Sequence, residues 1–231
     1  MKTRHFLSRA FVTACALALS FGAYAESDFN VTVEDKDVPK EIDDVVKADL
    51  EPKVHLIAGD GDPFFEFWFA KSVEIGSIKE ATKDSLESMD EITLLGVLVV
   101  HDNDERYDFR EDPIDPGVYV MRMALQPKDG NHMGTSPYDT FALLIPQDRD
   151  AEARDVEYAE DAVDIASEHT IAEHPPILSL QPREEADGEF PRITHDEEHE
   201  WHFLTILLPA TSEGEKAELP LNLVFEGIGE L

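Results

Sequence analysis

The stretch "GVYVMRMALQPKDGNHMGTSPYDTFALLIP", residues 117–146, decides the fold class. Its first third alternates in part: Tyr119, Met121, Met123 and Leu125 fall on one side, Val118, Val120, Arg122 and Gln126 on the other. Period two is the mark of a strand, because successive side chains point to opposite faces. "YDTFALLIP", residues 138–146, is a second apolar run. Between them Pro127, Asp129-Gly130 and Gly134 are turn formers, with Asp129-Gly130 suited to a positive-φ corner. Two strands joined by a polar loop imply an antiparallel pair.

Outward from this pair the pattern stays strand-like. "FFEFWFAKSV" (64–73) is rich in aromatics, and "ITLLGVLVV" (92–100) is a continuous apolar run, as in a strand covered on both faces. "PPILSLQ" (175–181), "EWHFLTILL" (200–208) and "ELPLNLVFEG" (218–227) follow, the last with Leu219, Leu221, Leu223 and Phe225 in clean period two. Two segments read as helical: "SIKEATKDSLESM" (77–89), and 150–169 with Val156, Ala159, Val163 and Ala166 along one stripe. The sum predicts a mostly β domain, an antiparallel β-sandwich of about seven to nine strands with one or two short peripheral helices. The domain is expected to begin at "VHLIAG" (54) and run to 231. Residues 26–53, charged and broken by Pro39 and Pro52, are expected to form a flexible or partly helical lead-in.

The N-terminus reads as an export signal. Lys2, Arg4 and Arg9 precede the apolar "AFVTACALALSF", and "AYA" at 23–25 has the small-x-small pattern of a cleavage site. The apolar run falls short of the about 18 residues that span a bilayer, so no transmembrane segment is expected after cleavage. Val12-Thr13-Ala14-Cys15 loosely resembles a lipoprotein box, but Arg9 leaves too little apolar core before it. Cleavage after Ala25 leaves 206 residues, enough to bury a core, and removes Cys15, the single cysteine. Disulfides and Cys-ligated metals are thereby excluded from the mature chain. The expected location is the periplasm or the extracellular space.

The same cut takes the net charge from −32 to −35, with 16 basic residues against 51 acidic. Such a balance excludes nucleic acid, since no basic surface offsets phosphate repulsion, and disfavours anionic membrane surfaces. The acids are spread along the chain, which suits a solubilising surface in salty surroundings better than a dedicated calcium trap. "GDGDPFFEF" (59–67) and "HDNDERYDFREDPIDPG" (101–117) do bring aspartates together, among them Asp102, Asp104 and Asp108. Neither matches the Ca²⁺ loop of about twelve residues with its fixed Gly and Glu.

Three places could carry chemistry. In the opening loop, His132 with Asp129 or Asp139 as an orienting partner could ligate a metal or carry a proton. Ser136 lies close by in sequence, but no G-x-S-x-G surrounds it. Arg122 shares the side of Val118 and Val120, so partial burial is expected, with Asp139 as its carboxylate partner. In "THDEEHEWHF" (194–203), His195, His199 and His202 have i, i+4, i+7 spacing, but "EWHFLTILL" reads as a strand, which breaks a helical site after His199. Glu66 alternates with Trp68 on an aromatic strand, a setting that raises a carboxyl pKa, but it has no second carboxylate at a defined separation.

The motif residues also resemble a family of exported bacterial proteins without an established activity. Its members combine a G-x-Y-x-x-R strand, a Q-P-x-D-G-x-H-x-G loop and a following aspartate before an apolar strand. The likeness covers about residues 54–150, is weaker at "EHPPILSL" (173–180), and singles out Tyr119, Arg122, Gln126, Asp129, Gly130, His132, Gly134 and Asp139. It implies one recurring domain and names no reaction.

The reading favours a binding or accessory module over an enzyme, with an envelope protein or small ligand as partner. Its candidate ligand residues are Arg122, Asp129, His132 and Asp139, and its candidate metal ligands are His132, His195 and His199. A divalent metal (Zn²⁺, Cu²⁺ or Ca²⁺) is the cofactor these groups would accept. The alternatives are a metal-dependent envelope hydrolase and a purely structural or interaction domain.

Overall fold

The computed structural model describes residues 28–76, 86–103, 105–126, 136, 138–156, 158–168, 174–182 and 188–229. The strands are β1 (Asn30–Asp35), β2 (Lys53–Ala58), β3 (Phe65–Phe69), β4 (Val73–Ile75), β5 (Leu94–Val100), β6 (Gly117–Leu125), β7 (Thr140–Pro146), β8 (Ile177–Pro182), β9 (Arg192–Asp196), β10 (Trp201–Ser212) and β11 (Glu215–Glu226). Among the described residues three short helices are defined: α1 (Asp44–Ala48), α2 (Asp150–Ala153) and α3 (Ala159–Ser167).

The protein is mostly antiparallel β, but the expected count of seven to nine strands is too low and two separate sheets are not what is seen. Eleven strands form one sheet in the order β1-β2-β3-β5-β6-β7-β8-β11-β10-β4, with β9 pairing β10 beside β4. All pairs are antiparallel except the short β4–β10 contact. The sheet is continuous because β8 is shared. Its first half, Ile177–Ser179, pairs with β7 and its second half, Leu180–Pro182, pairs with β11. The sheet curls until β1 approaches β9 at the other end, giving a nearly closed, barrel-like shape.

Alternation decides what fills the inside. Phe65, Phe67 and Phe69 of β3, Met121 and Met123 of β6, and Leu219, Leu221, Leu223 and Phe225 of β11 all point into one core. It is tightly filled: Phe69, Met121, Leu180 and Leu221 are among the side chains around a void of about 10 Å³. Gly96 is required by this packing. A Cβ there would stand 2.2 Å from the Trp68 carbonyl oxygen and 2.9 Å from Met121 Cε.

Beside the main core lie three smaller ones: one of Phe109, Trp201, Phe203 and Val224, and two covered by helices. Val54, Trp68, Val97 and Val120 are covered by Ile42, Val46 and Leu50. Within the lead-in, β1 pairs with β2 over six residues, and the segment through α1 packs on the sheet. β1 carries no apolar period in the sequence because an edge strand exposes nearly all of "NVTVED". Ala124, Leu143 and Ile145 are covered by α2 and α3 through Ala153, Ala159, Ala162 and Ala166. The helical reading of 150–169 thus resolves into two helices joined by a turn, with small alanines allowing close approach. Of the other helical segment, 77–85 lie outside the described residues, while Leu86 and Met89 are buried in the main core.

Candidate functional site

The opening loop is closed by its backbone: the Gln126 amide donates to the Asp139 carbonyl at 2.7 Å. Asp129 and His132 lie outside the described residues. Ser136 Oγ accepts from the Tyr138 amide at 3.2 Å, a local turn bond. Tyr119 is buried and donates its hydroxyl to the Asp115 carbonyl at 2.7 Å. Burial, with the Asp115 charge, pushes its pKa up to about 12.

Arg122 does not pair with Asp139. Its Nε and Nη2 donate to Asp150 Oδ1 and Oδ2 at 2.6 and 3.1 Å, and its Nη1 donates to the Ile92 carbonyl at 2.9 Å. The register explains the correction. Arg122 stands opposite Leu143, whereas Asp139 lies beside Gln126, four residues further along β6 and roughly 13 Å away at strand rise. Asp150 arrives instead at the start of α2, folded back over the outer face. Arg154 lies 3.6 Å from Asp150 and donates to Asp43 at 2.8 Å. Asp43 also accepts from the Val45 amide as the α1 cap. That backbone bond, then Arg154, holds its carboxyl below the usual range. One chain of charges thus joins β6, α2 and α1.

Glu66 is likewise engaged. Its two oxygens meet Lys36 Nζ and His101 Nε2, the latter at 2.8 Å, and Trp68 Nε1 donates to the Lys36 carbonyl at 3.0 Å. The cluster ties the segment after β1 to β3.

The histidines of 194–203 separate. The turn at Glu197–Glu200 puts His195 of β9 opposite His202 of β10, and their rings stack at 4.1 Å with an interplanar angle of 2°. His199 stacks at 4.4 Å on Trp201, and its Nδ1 lies 2.8 Å from Asp196 Oδ2. His195 and His199 therefore stack on different neighbours, His202 and Trp201. Burial pushes Asp196 up, but bonds from His199 and the Glu198 amide outweigh it and leave the carboxyl below its usual range. Among the described residues, no three His, Cys, Asp or Glu side chains converge as a metal-holding group.

What the hairpin does build is one wall of an open groove of about 700 Å³. His199, Glu200 and His202 face Tyr107, Arg110 and Glu111 across a floor that includes Glu226 and Ile228. The opposite wall is fixed by Asp108, which is buried. Its Oδ1 accepts from the amides of Arg110 and Asp112, and its Oδ2 from the Ile177 amide and the Arg110 guanidinium. Asp108 is therefore consumed as an anchor and is no calcium ligand, while Asp104 lies outside the described residues. Three residues of the groove, Glu111, Glu200 and Gly227, have positive φ. A Cβ on Gly227 would meet Trp201 Cδ1 at 2.6 Å, so the floor can pass the indole only as glycine. Exposed Tyr107, two histidines and three carboxylates equip the groove for polar and stacking contacts.

The sequence pointed to His199 and His202 but not to Tyr107, Arg110 or Glu226. The available signal was Asp108: a carboxylate four residues before another acid, in a loop dense with turn formers, is placed to fasten backbone.

The chain is thus an acidic, mostly antiparallel β protein whose barrel-like interior is filled and whose concavity lies on the outside. No family model, curated protein or solved structure matches it. The likeness to exported bacterial proteins rests on the motif residues alone. Among the described residues, no helix is long and apolar enough to cross a membrane.

Proposed function

We propose that the protein is an exported binding or accessory module of the cell envelope, and that the groove between loop 105–112 and the β9–β10 turn receives its ligand. One contrast carries the reading: a void of about 10 Å³ inside the barrel against about 700 Å³ in the groove. The former holds at most a water, while the latter is of the size that small-ligand sites take. The export half of the proposal rests on residues 1–25.

The test is an NMR titration with Zn²⁺, Cu²⁺ and Ca²⁺, with short envelope oligosaccharides, and with short acidic and basic peptides. Shifts should centre on Tyr107, His199 and Glu200 for one of these classes. Tyr107→Ala should abolish them while leaving Tm unchanged. If shifts gather instead at 127–139, the site is the loop of Asp129, His132 and Asp139. If no probe shifts the groove, this reading fails.

A further inference from the structure

Two of the large apolar side chains that stand exposed among the described residues, Tyr107 and Ile228, line the same groove, at 43% and 42% exposure. Neither is a loose end. Tyr107 forms a β-bridge with Pro113 across its loop, and its hydroxyl donates to Glu105 at 3.1 Å. Ile228 lies just past β11, but its carbonyl accepts from the Trp201 indole at 2.7 Å. The next amide, that of Gly229, donates to the Phe109 carbonyl at 2.8 Å. The backbone thus holds both side chains out into a concavity, where an apolar group of a partner can cover them.

The charges around them set the sign of that partner. Arg110, the guanidinium of the lining, is already engaged by buried Asp108 at 3.0 Å and the Pro175 carbonyl at 2.6 Å, with Asp112 at 3.6 Å. Glu226 has Arg106 at 3.3 Å, and His199 has Asp196 at 2.8 Å. Glu111 and Glu200 remain, one on each wall. Among the described residues neither meets a lysine or arginine, and Glu200 has the His195 imidazole at 3.5 Å. A bare metal ion is a poor fit, because no three His, Cys, Asp or Glu side chains converge among the described residues. An anion would find the one guanidinium of the lining occupied. A cation would meet a carboxylate on either wall, and the net charge of −32 behind them draws it in from a distance.

We propose that the groove docks a basic segment of a partner protein. An apolar side chain of that segment sits on Tyr107 and Ile228, between lysines or arginines that pair with Glu111 and Glu200. Recognition of this kind rests on the groove being the ligand site proposed above, and it names the chemistry the groove takes.

The experiment is an NMR titration of the isotope-labelled full chain with three capped peptides, Lys-Leu-Lys, Lys-Gly-Lys and Glu-Leu-Glu. Lys-Leu-Lys should shift Tyr107, Glu111, Glu200 and Ile228 and bind tightest of the three. Raising NaCl from about 50 to about 500 mM should weaken it. Glu111→Gln and Glu200→Gln should each weaken it about two- to fivefold. Ile228→Ser should erase the preference for Lys-Leu-Lys over Lys-Gly-Lys. Glu34→Gln with Glu74→Gln, which removes charge from exposed positions on β1 and β4, should leave the affinity unchanged. Unchanged affinity in both groove variants, or an equal loss in the β1–β4 control, would overturn the proposal. If Glu-Leu-Glu or an oligosaccharide shifts the groove and Lys-Leu-Lys does not, the groove stands and its basic partner falls. If no probe shifts the groove, both fall.

Discussion

Arg122 and Asp150 grip each other through two hydrogen bonds, 2.6 and 3.1 Å, where the outer face of β6 meets α2. Both side chains are almost wholly buried, at 8% and 2% exposure, so neither charge has water to fall back on. The pair sits between two of the smaller cores and connects them, one capped by α1 and the other by α2 and α3.

Removing one partner should therefore cost more than removing both. Arg122→Met should lower stability by about 3–5 kcal/mol, by stranding Asp150, and Arg122→Met with Asp150→Leu should recover much of that loss. Urea denaturation of the two single variants and the double variant measures the difference. A double variant no better than the worse single one would refute the account.

Stability should fall in two acid windows. Burial lowers the pKa of His55, and burial with His195 lowers that of His202. The unfolded chain thus binds protons first, so the contribution is complete above the ordinary value of 6.5 and is lost as pH falls below it toward the depressed folded values. Asp43 and Asp196, also depressed, keep their contribution until pH falls below the ordinary 3.8. Tm recorded against pH should show one decline between 7 and 5 and another below 4, and His55→Gln should flatten only the first.

Gly96→Ala tests the close approach of β5 to β3. The added methyl meets a carbonyl that belongs to the sheet ladder, so the strands must part. A loss of about 1–3 kcal/mol is expected. Calorimetry would show it, and an unchanged Tm would mean the strands part more easily than their spacing implies.

Asp108→Ala should affect both the fold and the groove. It strands the backbone amides of Arg110, Asp112 and Ile177, while the Arg110 guanidinium keeps the Pro175 carbonyl, for a loss of about 3–5 kcal/mol. Hydrogen exchange should rise first in 105–112 and at Ile177, ahead of β6. Uniform acceleration across the sheet would count against Asp108 as a local anchor.

What could be read in the sequence follows burial. Apolar runs mark β3, β5, β7, β8 and β10, and period two marks β6 and β11, because each of these strands is buried over much of its length. β1 and β9 are polar edge strands, and polar alternation carries no contrast to read. The need of Arg122 for a carboxylate was legible from its apolar neighbours on β6. Its partner was not, since Asp139 is nearer along the chain and only the fold-back of α2 delivers Asp150. The histidines posed the same problem. Helical spacing linked His195 with His199, whereas a hairpin links His195 with His202, and only the register of β9 on β10 decides between them.

The divided allegiance of β8 bears on how the chain assembles. β1 to β7 is close to a meander, in which most strands find the neighbour just synthesised, and β10–β11 is a hairpin joined by Glu213-Gly214. Both can form early, since their loop-closure entropy is small. Three residues of β8, Leu180–Pro182, must then capture Leu221–Leu223, some forty positions downstream. We expect formation of that short splice to weigh on the folding rate, so Leu180→Ala should slow refolding more than it speeds unfolding.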